Sequence, residues 1–427
     1  MKRSVDRILT THVGSLIRPQ ALQDIMRAKQ GGQSYDRAAY EACLAQSIAE
    51  VVRRQAEVGL DVISDGEFGK AISWNQYVVE RLSGFELRAI PPGLRPGVPG
   101  ADRTRFKEFY AELDVREPMA NDKMVACVGP VGYVGQEIVR RDIANFKAAL
   151  ASVASGQRGD SMVRAHSASE DARGRADAAR PEPGSSARAA GVRVEEAFMP
   201  VVAPSSVLPD RKDEYYKGEE DWLEAVTAAM RTEYRMIVDA GFVLQIDDAR
   251  AATAFDRMVP PASFEDYRRW LAKFVESLNH ALDGIPEDRV RYHVCWGSWP
   301  GPHVSDVPLG SIVDLILKVR AGAYVIESAN PRHEHEWQVW KTTKLPDGKV
   351  LIPGVISHAT NVVEHPELVA ERILRFAKLL GRENVMAGTD CGFAQGTFYR
   401  RVHPTVMWAK FEALVEGARL ASKQLWN

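Results

Sequence analysis

Residues 289–295 read Arg-Val-Arg-Tyr-His-Val-Cys, a short strand-like run that ends in an imidazole and a thiol. His293 and Cys295 are two positions apart, so on a strand their side chains point to the same side. Helical patterns flank this run, over 264–283 before it and over 310–320 after it. The order of helix, strand and loop with reactive side chains predicts a parallel sheet with crossover helices.

The same unit recurs along the whole chain. Further helical patterns cover 35–58, 134–154, 219–240, 366–381 and 405–425. The candidate strands number nine, and they are 8–13, 60–65, 124–128, 194–201, 242–247, 289–294, 322–326, 350–356 and 384–389. Eight of them fit an α/β fold of the (β/α)8 TIM barrel type, with one left over. Polar residues follow many of these strands, as they do at the catalytic face of a barrel. A doubly wound sheet is the alternative.

Two segments depart from this alternation within what we expect to be a single catalytic domain over 1–427. Residues 84–121 are mixed in pattern, with three prolines in 91–98, and are interpreted as an excursion from the barrel. Residues 155–192 contain Met162, Val163 and Val192 as their only large apolar side chains. Such a stretch buries too little surface to offset its ordering entropy, which predicts a disordered insertion. Out-of-frame translation of GC-rich DNA would give the same Arg, Ala, Ser and Gly bias.

Composition excludes several classes of function. Hydrophobic residues make up 45% and charged residues 26% of the chain, and the net charge of −2 gives no basic bias toward nucleic acid or anionic membranes. No apolar run reaches the roughly 18 residues of a membrane span, and no signal-peptide pattern opens the chain. We therefore expect a cytoplasmic protein, in which the four cysteines stay reduced and free for metal binding or catalysis.

Four residues of metal-binding type lie at the ends of predicted strands. His293 and Cys295 end one strand, Glu327 ends the next, and Cys391 ends the last. A barrel brings such positions together on one rim, so one imidazole, one carboxylate and two thiolates form a four-ligand set for Zn²⁺. With two thiolates and a carboxylate the site carries a net charge of about −1, since Zn²⁺ contributes +2. Such a zinc ion keeps a bound substrate thiolate nucleophilic, whereas hydrolases prefer neutral histidine ligands that acidify water.

Several motifs together resemble the catalytic barrel of the cobalamin-independent methionine synthase family, in particular its single-barrel members. The motifs are Thr-Thr-His-Val-Gly-Ser (10–15), Asp-Gly-Glu (65–67), Val-Gly-Pro-Val (128–131), Leu-Gln-Ile-Asp-Asp (244–248), His-Val-Cys (293–295), Ile-Glu-Ser (326–328) and Asp-Cys-Gly (390–392). The resemblance covers most of the chain apart from 84–121 and 155–192. It implies a barrel of the type shared with uroporphyrinogen decarboxylase, and it implies the same zinc ligands.

The resemblance also implies a site for the amino acid part of homocysteine. The matching residues are Ser15, Glu67 and Asp247. Two carboxylates pair with an ammonium group, and a serine with nearby amides takes a carboxylate. The acid–base histidine of the family falls on Ala359, and His358, one residue earlier, is the candidate proton donor.

These observations predict a zinc-dependent methyltransferase that methylates a thiol, with homocysteine as the expected thiol. The sequence lacks a match to the large N-terminal domain of the long-form methionine synthases, which argues against folate polyglutamate as the methyl donor. The expected donor is a methyl-folate or a methylcobamide protein, and another small methyl or alkyl donor stays open. Three alternatives remain: alkyl transfer involving another thiol, as in epoxyalkane–thiol transferases, a metal-free decarboxylase, and a non-catalytic barrel stabilised by zinc. The oligomeric state stays open.

Overall fold

Ten strands divide between two sheets in the part of the chain that the computed structural model describes, residues 1–89, 100–116, 123–156, 193–207, 212–398 and 400–427. In chain order they are β1 (Val62–Ile63), β2 (Phe85–Ala89), β3 (Lys123–Cys127), β4 (Glu196–Val202), β5 (Lys212–Asp213), β6 (Val243–Asp248), β7 (Val290–Val294), β8 (Ala323–Ile326), β9 (Val350–Ile356) and β10 (Gly388–Thr389). The larger sheet is parallel and has the order β1-β4-β6-β7-β8-β9-β10.

The segment around Thr10 and Thr11 closes this sheet into a ring. Thr11 pairs with Val62 of β1, and Thr10 pairs with Ala387, the residue before β10, both in parallel bridges. The seven strands and this segment together form the eight strand positions of a closed ring, which confirms the predicted barrel. Eight of the nine candidate strands occupy these positions.

Apolar side chains fill the inside of the ring. One core cluster takes residues from strands all around it, namely Leu9, Val62, Phe198, Val243, Val325, Ile352 and Met386. Cys295 and Cys391 belong to this same cluster. The two thiols therefore sit on top of the packed barrel interior, at the carboxyl ends of the strands.

The described residues also form twelve helices. They are α1 (Gln20–Gln30), α2 (Arg37–Val58), α3 (Ala101–Arg105), α4 (Lys107–Arg116), α5 (Gln136–Ala154), α6 (Pro204–Val207), α7 (Glu219–Asp239), α8 (Ala249–Met258), α9 (Phe264–Ala281), α10 (Val313–Ile316), α11 (Pro366–Leu380) and α12 (Pro404–Leu425). A capping box of Ser263 and Asp266 starts α9. The predicted helix over 310–320 is shorter than expected, with a 3-10 turn at Leu309–Ser311 followed by the four residues of α10. None of the helices in the described ranges has the length and apolarity that a bilayer crossing requires.

The remaining candidate strand, 124–128, lies outside the barrel. It forms β3, which pairs antiparallel with β2 and parallel with β5 in a small separate sheet. Its apolar run resembles a barrel strand because Val125, Ala126 and Cys127 are buried in the small sheet, as the residues of a barrel strand would be. Residues 90–99 and 117–122 of the predicted excursion, and residues 157–192 of the predicted insertion, fall outside the described residues.

Candidate metal and thiol site

Three of the four predicted metal ligands converge at one end of the barrel. His293 lies near the end of β7, Cys295 follows that strand, and Cys391 follows β10. Their ligand atoms all lie within 4.8 Å of one another, and the two Sγ atoms are 3.5 Å apart. All three residues are buried. A nitrogen and two sulfur ligands in this arrangement suit Zn²⁺.

The ring of His293 is oriented as a metal ligand requires. Its Nδ1 lies 3.0 Å from Oδ1 of Asp247, a carboxylate that fixes the ring and accepts the Nδ1 proton. Its Nε2 is buried and makes no hydrogen bond within the described part of the chain. A buried nitrogen without a partner is costly, and a metal ion bound to its lone pair removes that cost. The residues present therefore fit a zinc ion.

Glu327, the fourth predicted ligand, lies beside this group rather than within it. Its Oε1 accepts a hydrogen bond from the backbone N–H of Trp296 at 2.8 Å, and its Oε2 accepts one from the Asn330 amide at 2.8 Å. Burial, followed by the negative charge of Cys295, raises the pKa of Glu327 well above its usual value. The carboxylate is thus next to the thiols, with both oxygens engaged by the protein.

Asn330 and Asp390 are residues of this site that the sequence analysis did not single out. The Asn330 amide donates to Glu327 and also to Oδ2 of Asp390, at 3.2 Å. Oδ1 of Asp390 accepts from the backbone N–H groups of Ser328 and Ala329 at 2.7 and 2.8 Å. Asp390 therefore holds the loop that carries Glu327. The motif Asp-Cys-Gly contains Asp390, but Ser328 and Ala329, whose N–H groups it binds, lie about 60 positions away in the chain, so the motif alone did not indicate this contact.

The three residues predicted for the amino acid group lie around one corner of the ring. Glu67 has a positive φ of 60° and pairs through Oε2 with Lys70 at 2.6 Å. Burial is the main reason that the pKa of Glu67 is raised, and the negative charge of Asp247 adds to it. Ser15 lies against the loop after Cys391, where a Cβ on Gly392 would come within 2.0 Å of its Oγ.

Lys70 is a second residue that sequence reasoning missed. Besides the ion pair with Glu67, its Nζ donates to the backbone carbonyl of Pro200 at 2.9 Å. Oε1 of Glu67 makes no hydrogen bond within the described residues, and a Cβ on Gly14 would lie 2.7 Å from it. Lys70 follows Glu67 by three positions in Asp-Gly-Glu-Phe-Gly-Lys, which was the available signal.

His358 is buried, whereas Ala359 is exposed. Neither ring nitrogen of His358 has a hydrogen-bond partner within the described residues. Burial lowers the pKa of His358 to about 3, and the positive charges of Arg401 and His293 act in the same direction. His358 is therefore a buried imidazole without a partner in the described residues, and its low pKa leaves it uncharged at neutral pH.

The sequence is similar to a known family of enzymes and to several of its relatives. The catalytic-domain model of the cobalamin-independent synthases matches residues 8–155. The chain is 26% identical over 239 residues to the 2-hydroxypropyl-CoM lyase of Xanthobacter autotrophicus, a match that spans 50% of this chain and 58% of that protein. It is 21% identical over 395 residues to the methionine synthase of Sulfolobus acidocaldarius, which covers 92% of this chain and 87% of that protein.

A solved structure supports the same fold. The B12-independent methionine synthase from Shewanella sp. W3-18-1, determined in complex with selenomethionine, superposes with a TM-score of 0.66 at 16% identity. The superposition covers 98% of this chain and 99% of that one. At this level of identity the likeness concerns the barrel and its insertions, and the chemistry has to be argued from the residues.

Proposed function

We propose that this chain, whose residues 8–155 match the catalytic domain of the cobalamin-independent methionine synthase family, is a zinc-dependent methyltransferase that converts homocysteine to methionine. The methyl donor is a methyl-folate or a methylcobamide protein. One observation carries the proposal: the buried Nε2 of His293 has no partner in the described residues and lies together with two thiols. A structural core histidine would have that nitrogen satisfied.

The metal half of the site consists of His293, Cys295 and Cys391, and the proposal adds Glu327, which lies beside them, as the fourth ligand through a lone pair that its hydrogen bonds leave free. Bound there, zinc keeps the substrate thiol in its thiolate form at neutral pH. The protein contributes the orientation, because Asp247 fixes the His293 ring and the Trp296 N–H and Asn330 fix Glu327.

The other half of the site binds the amino acid group of the thiol. Oε1 of Glu67 and the carboxylate of Asp247 accept hydrogen bonds from the ammonium group, and Ser15 with adjacent backbone N–H groups binds the carboxylate. Lys70 opposes the rise in the pKa of Glu67 that burial causes, and it holds Oε2 in place. This two-point attachment directs the sulfur toward the cysteines, as catalysis by positioning requires.

Methyl transfer then forms a bond between sulfur and carbon while the bond between the methyl group and its donor breaks. The electron pair of the broken bond remains on the donor, and a methyl-folate donor then takes up a proton at the nitrogen that loses the methyl group. We propose that His358 passes this proton on, because neither of its nitrogens has a partner in the described residues; since its pKa of about 3 leaves the ring uncharged at neutral pH, it must first take up a proton from solution.

Zinc analysis combined with thiol titration tests the proposal. We expect one zinc per chain, and release of one proton when homocysteine is added, as its thiol ionises. Treatment with a chelator should abolish the proton release. Absence of zinc from the purified protein, or no proton release with any thiol, would refute the proposed function.

A second candidate is alkyl transfer involving a different thiol. The match to the 2-hydroxypropyl-CoM lyase favours it, since that relative is the more similar in identity although the match spans 58% of its length. A sulfonate thiol such as 2-mercaptoethanesulfonate lacks an ammonium group, so Glu67→Gln should impair homocysteine binding and leave sulfonate-thiol binding intact. Tighter binding of the sulfonate thiol by the unsubstituted protein would favour this second candidate.

A further inference from the structure

A pocket of arginine side chains lies beside the amino acid site and has no part in the function proposed above. Its volume is about 260 Å³, and Arg18, Arg27 and Arg400 line it together with the ring of Phe398. Ala394 also lines it, and the backbone N–H of that residue donates to Oγ of Ser15 at 3.4 Å. The arginine pocket and the site around Ser15 therefore share a wall.

Arg18 is the buried element of the arginine pocket, with an exposed fraction of only 6%. Both of its hydrogen bonds use Nη2, which donates to the backbone carbonyls of Glu67 and Lys70 at 2.5 and 2.9 Å. Its Nε is buried without a partner, and no carboxylate pairs with its guanidinium, within the described residues. Burial lowers the pKa of Arg18, although the charge of Glu67 opposes this. Buried guanidinium N–H groups without an acceptor cost free energy, and an anion that accepts their hydrogen bonds would remove this cost.

Helix α1 adds a second attraction for negative charge. Its N-cap is Pro19, which provides no side-chain cap, and its first turn carries no acidic residue. Gln20 and Gln23, from that first turn, line the arginine pocket. Uncapped N–H groups and the helix dipole favour an anion at such an end.

The opposite side of the pocket is formed by Arg27, Arg400 and Phe398. The Arg27 guanidinium lies 4.7 Å from the centre of the Phe398 ring and pairs with Asp24 at 2.9 Å. Arg400 is exposed and has no ion pair within the described residues. The pocket thus combines one buried and two accessible guanidinium groups with an apolar wall.

We propose that the arginine pocket binds an oxyanion group, a carboxylate, sulfonate or phosphate, carried by one of the two reactants. Guanidinium forks match such groups in a bidentate manner. The shared wall with Ser15 places the anion at the end of a molecule whose reactive part reaches the cysteines. Assignment of the anion to a reactant rests on the proposed methyl transfer, whereas the binding of an anion does not.

Calorimetric titration of the zinc-loaded full chain with inorganic phosphate and with triglutamate tests the binding. We expect Arg400→Ala and Arg18→Gln each to weaken both ligands by about tenfold or more, the effect of losing a charged hydrogen bond. Arg140→Ala is the matched control, because it removes an arginine from the exposed surface of α5. Unchanged affinity in Arg400→Ala, or an equal loss in the control, would overturn the inference. The Arg400 variant serves if Arg18→Gln fails to fold.

Steady-state kinetics then distinguish the two sources of the anion. If the methyl donor carries it, Arg400→Ala raises the donor KM and leaves the thiol KM unchanged, and the reverse holds if the thiol carries it. No change in either KM would refute the assignment to a reactant. Phosphate binding without any methyl transfer would leave the anion site intact and refute the proposed function instead.

Discussion

Replacing Asp247 by Asn tests the link between this carboxylate and His293, the proposed metal ligand. The substitution keeps the shape of the side chain but removes the charge 3.0 Å from Nδ1 of His293. The Gln245 amide, which donates to the same Oδ1 at 2.7 Å, retains its acceptor. Loss of such a carboxylate beside a metal-bound histidine reduces metal affinity by roughly 10- to 100-fold. This corresponds to about 1.4–2.8 kcal/mol.

The assay is competition for zinc against a chromophoric chelator, in the absence of any thiol. Glu67→Gln is the control, because Glu67 lies in the same pocket, pairs with Lys70, and makes no contact with His293. We expect the control to bind zinc like the unsubstituted protein and to show a raised KM for homocysteine. If Asp247→Asn also binds zinc like the unsubstituted protein, the hydrogen bond between Asp247 and His293 does not contribute to zinc affinity. The assignment of Nε2 of His293 to the metal is then refuted.

Two further predictions concern packing and pH. A methyl group at position 392 would lie 2.0 Å from Oγ and 3.2 Å from the backbone N of Ser15, so Gly392→Ala should cost about 1–3 kcal/mol of unfolding free energy and raise the thiol KM. Gly310→Ala, where the nearest atom is 3.5 Å away, should be tolerated, and equal denaturation midpoints for the two variants would contradict this. Burial lowers the pKa of His12 to about 3, so the unfolded chain binds a proton below pH ~6.5 that the folded chain does not. Stability present above that pH should therefore fall as the pH decreases, by up to about 1.4 kcal/mol per pH unit for this group, and urea unfolding of His12→Gln should show a shallower fall. An identical slope in this variant would exclude His12 as a cause.

The repeated pattern of strand and helix was sufficient to predict the barrel, because each unit carries its own local signal. It was insufficient to decide which of nine strands stays outside. Residues 124–128 are as apolar as a barrel strand, and only their pairing with Phe85–Ala89 shows that they belong to a separate sheet. Conversely, the segment 8–13 joins the ring through single bridges at Thr10 and Thr11, a contact between chain positions more than 370 residues apart.

For the site, residue types were predictable and contacts were not. The family motif could not decide between His358 and Ala359, because the direction of a side chain after β9 depends on how the loop leaves the strand. The structure buries His358 and exposes Ala359. The position of Glu327 likewise depends on Asp390 and Asn330, which hold its loop by hydrogen bonds across distant segments.

The sheet register explains why the metal half and the amino acid half of the site are one network. In the parallel pair β6 and β7, Asp247 lies directly opposite His293. This register places the carboxylate against the imidazole, while the charge of the same carboxylate also acts on Glu67. Because side chains alternate along a strand, a slip of one residue would turn Asp247 away from His293 and bring Asp248 into its place. Asp248 is instead engaged with Ser205, Tyr292 and the start of α8, on the outer side of the strand. The two adjacent aspartates therefore have separate roles: Asp248 anchors the first turn of α8, and Asp247 joins the proposed thiol-binding residues to the proposed metal ligand.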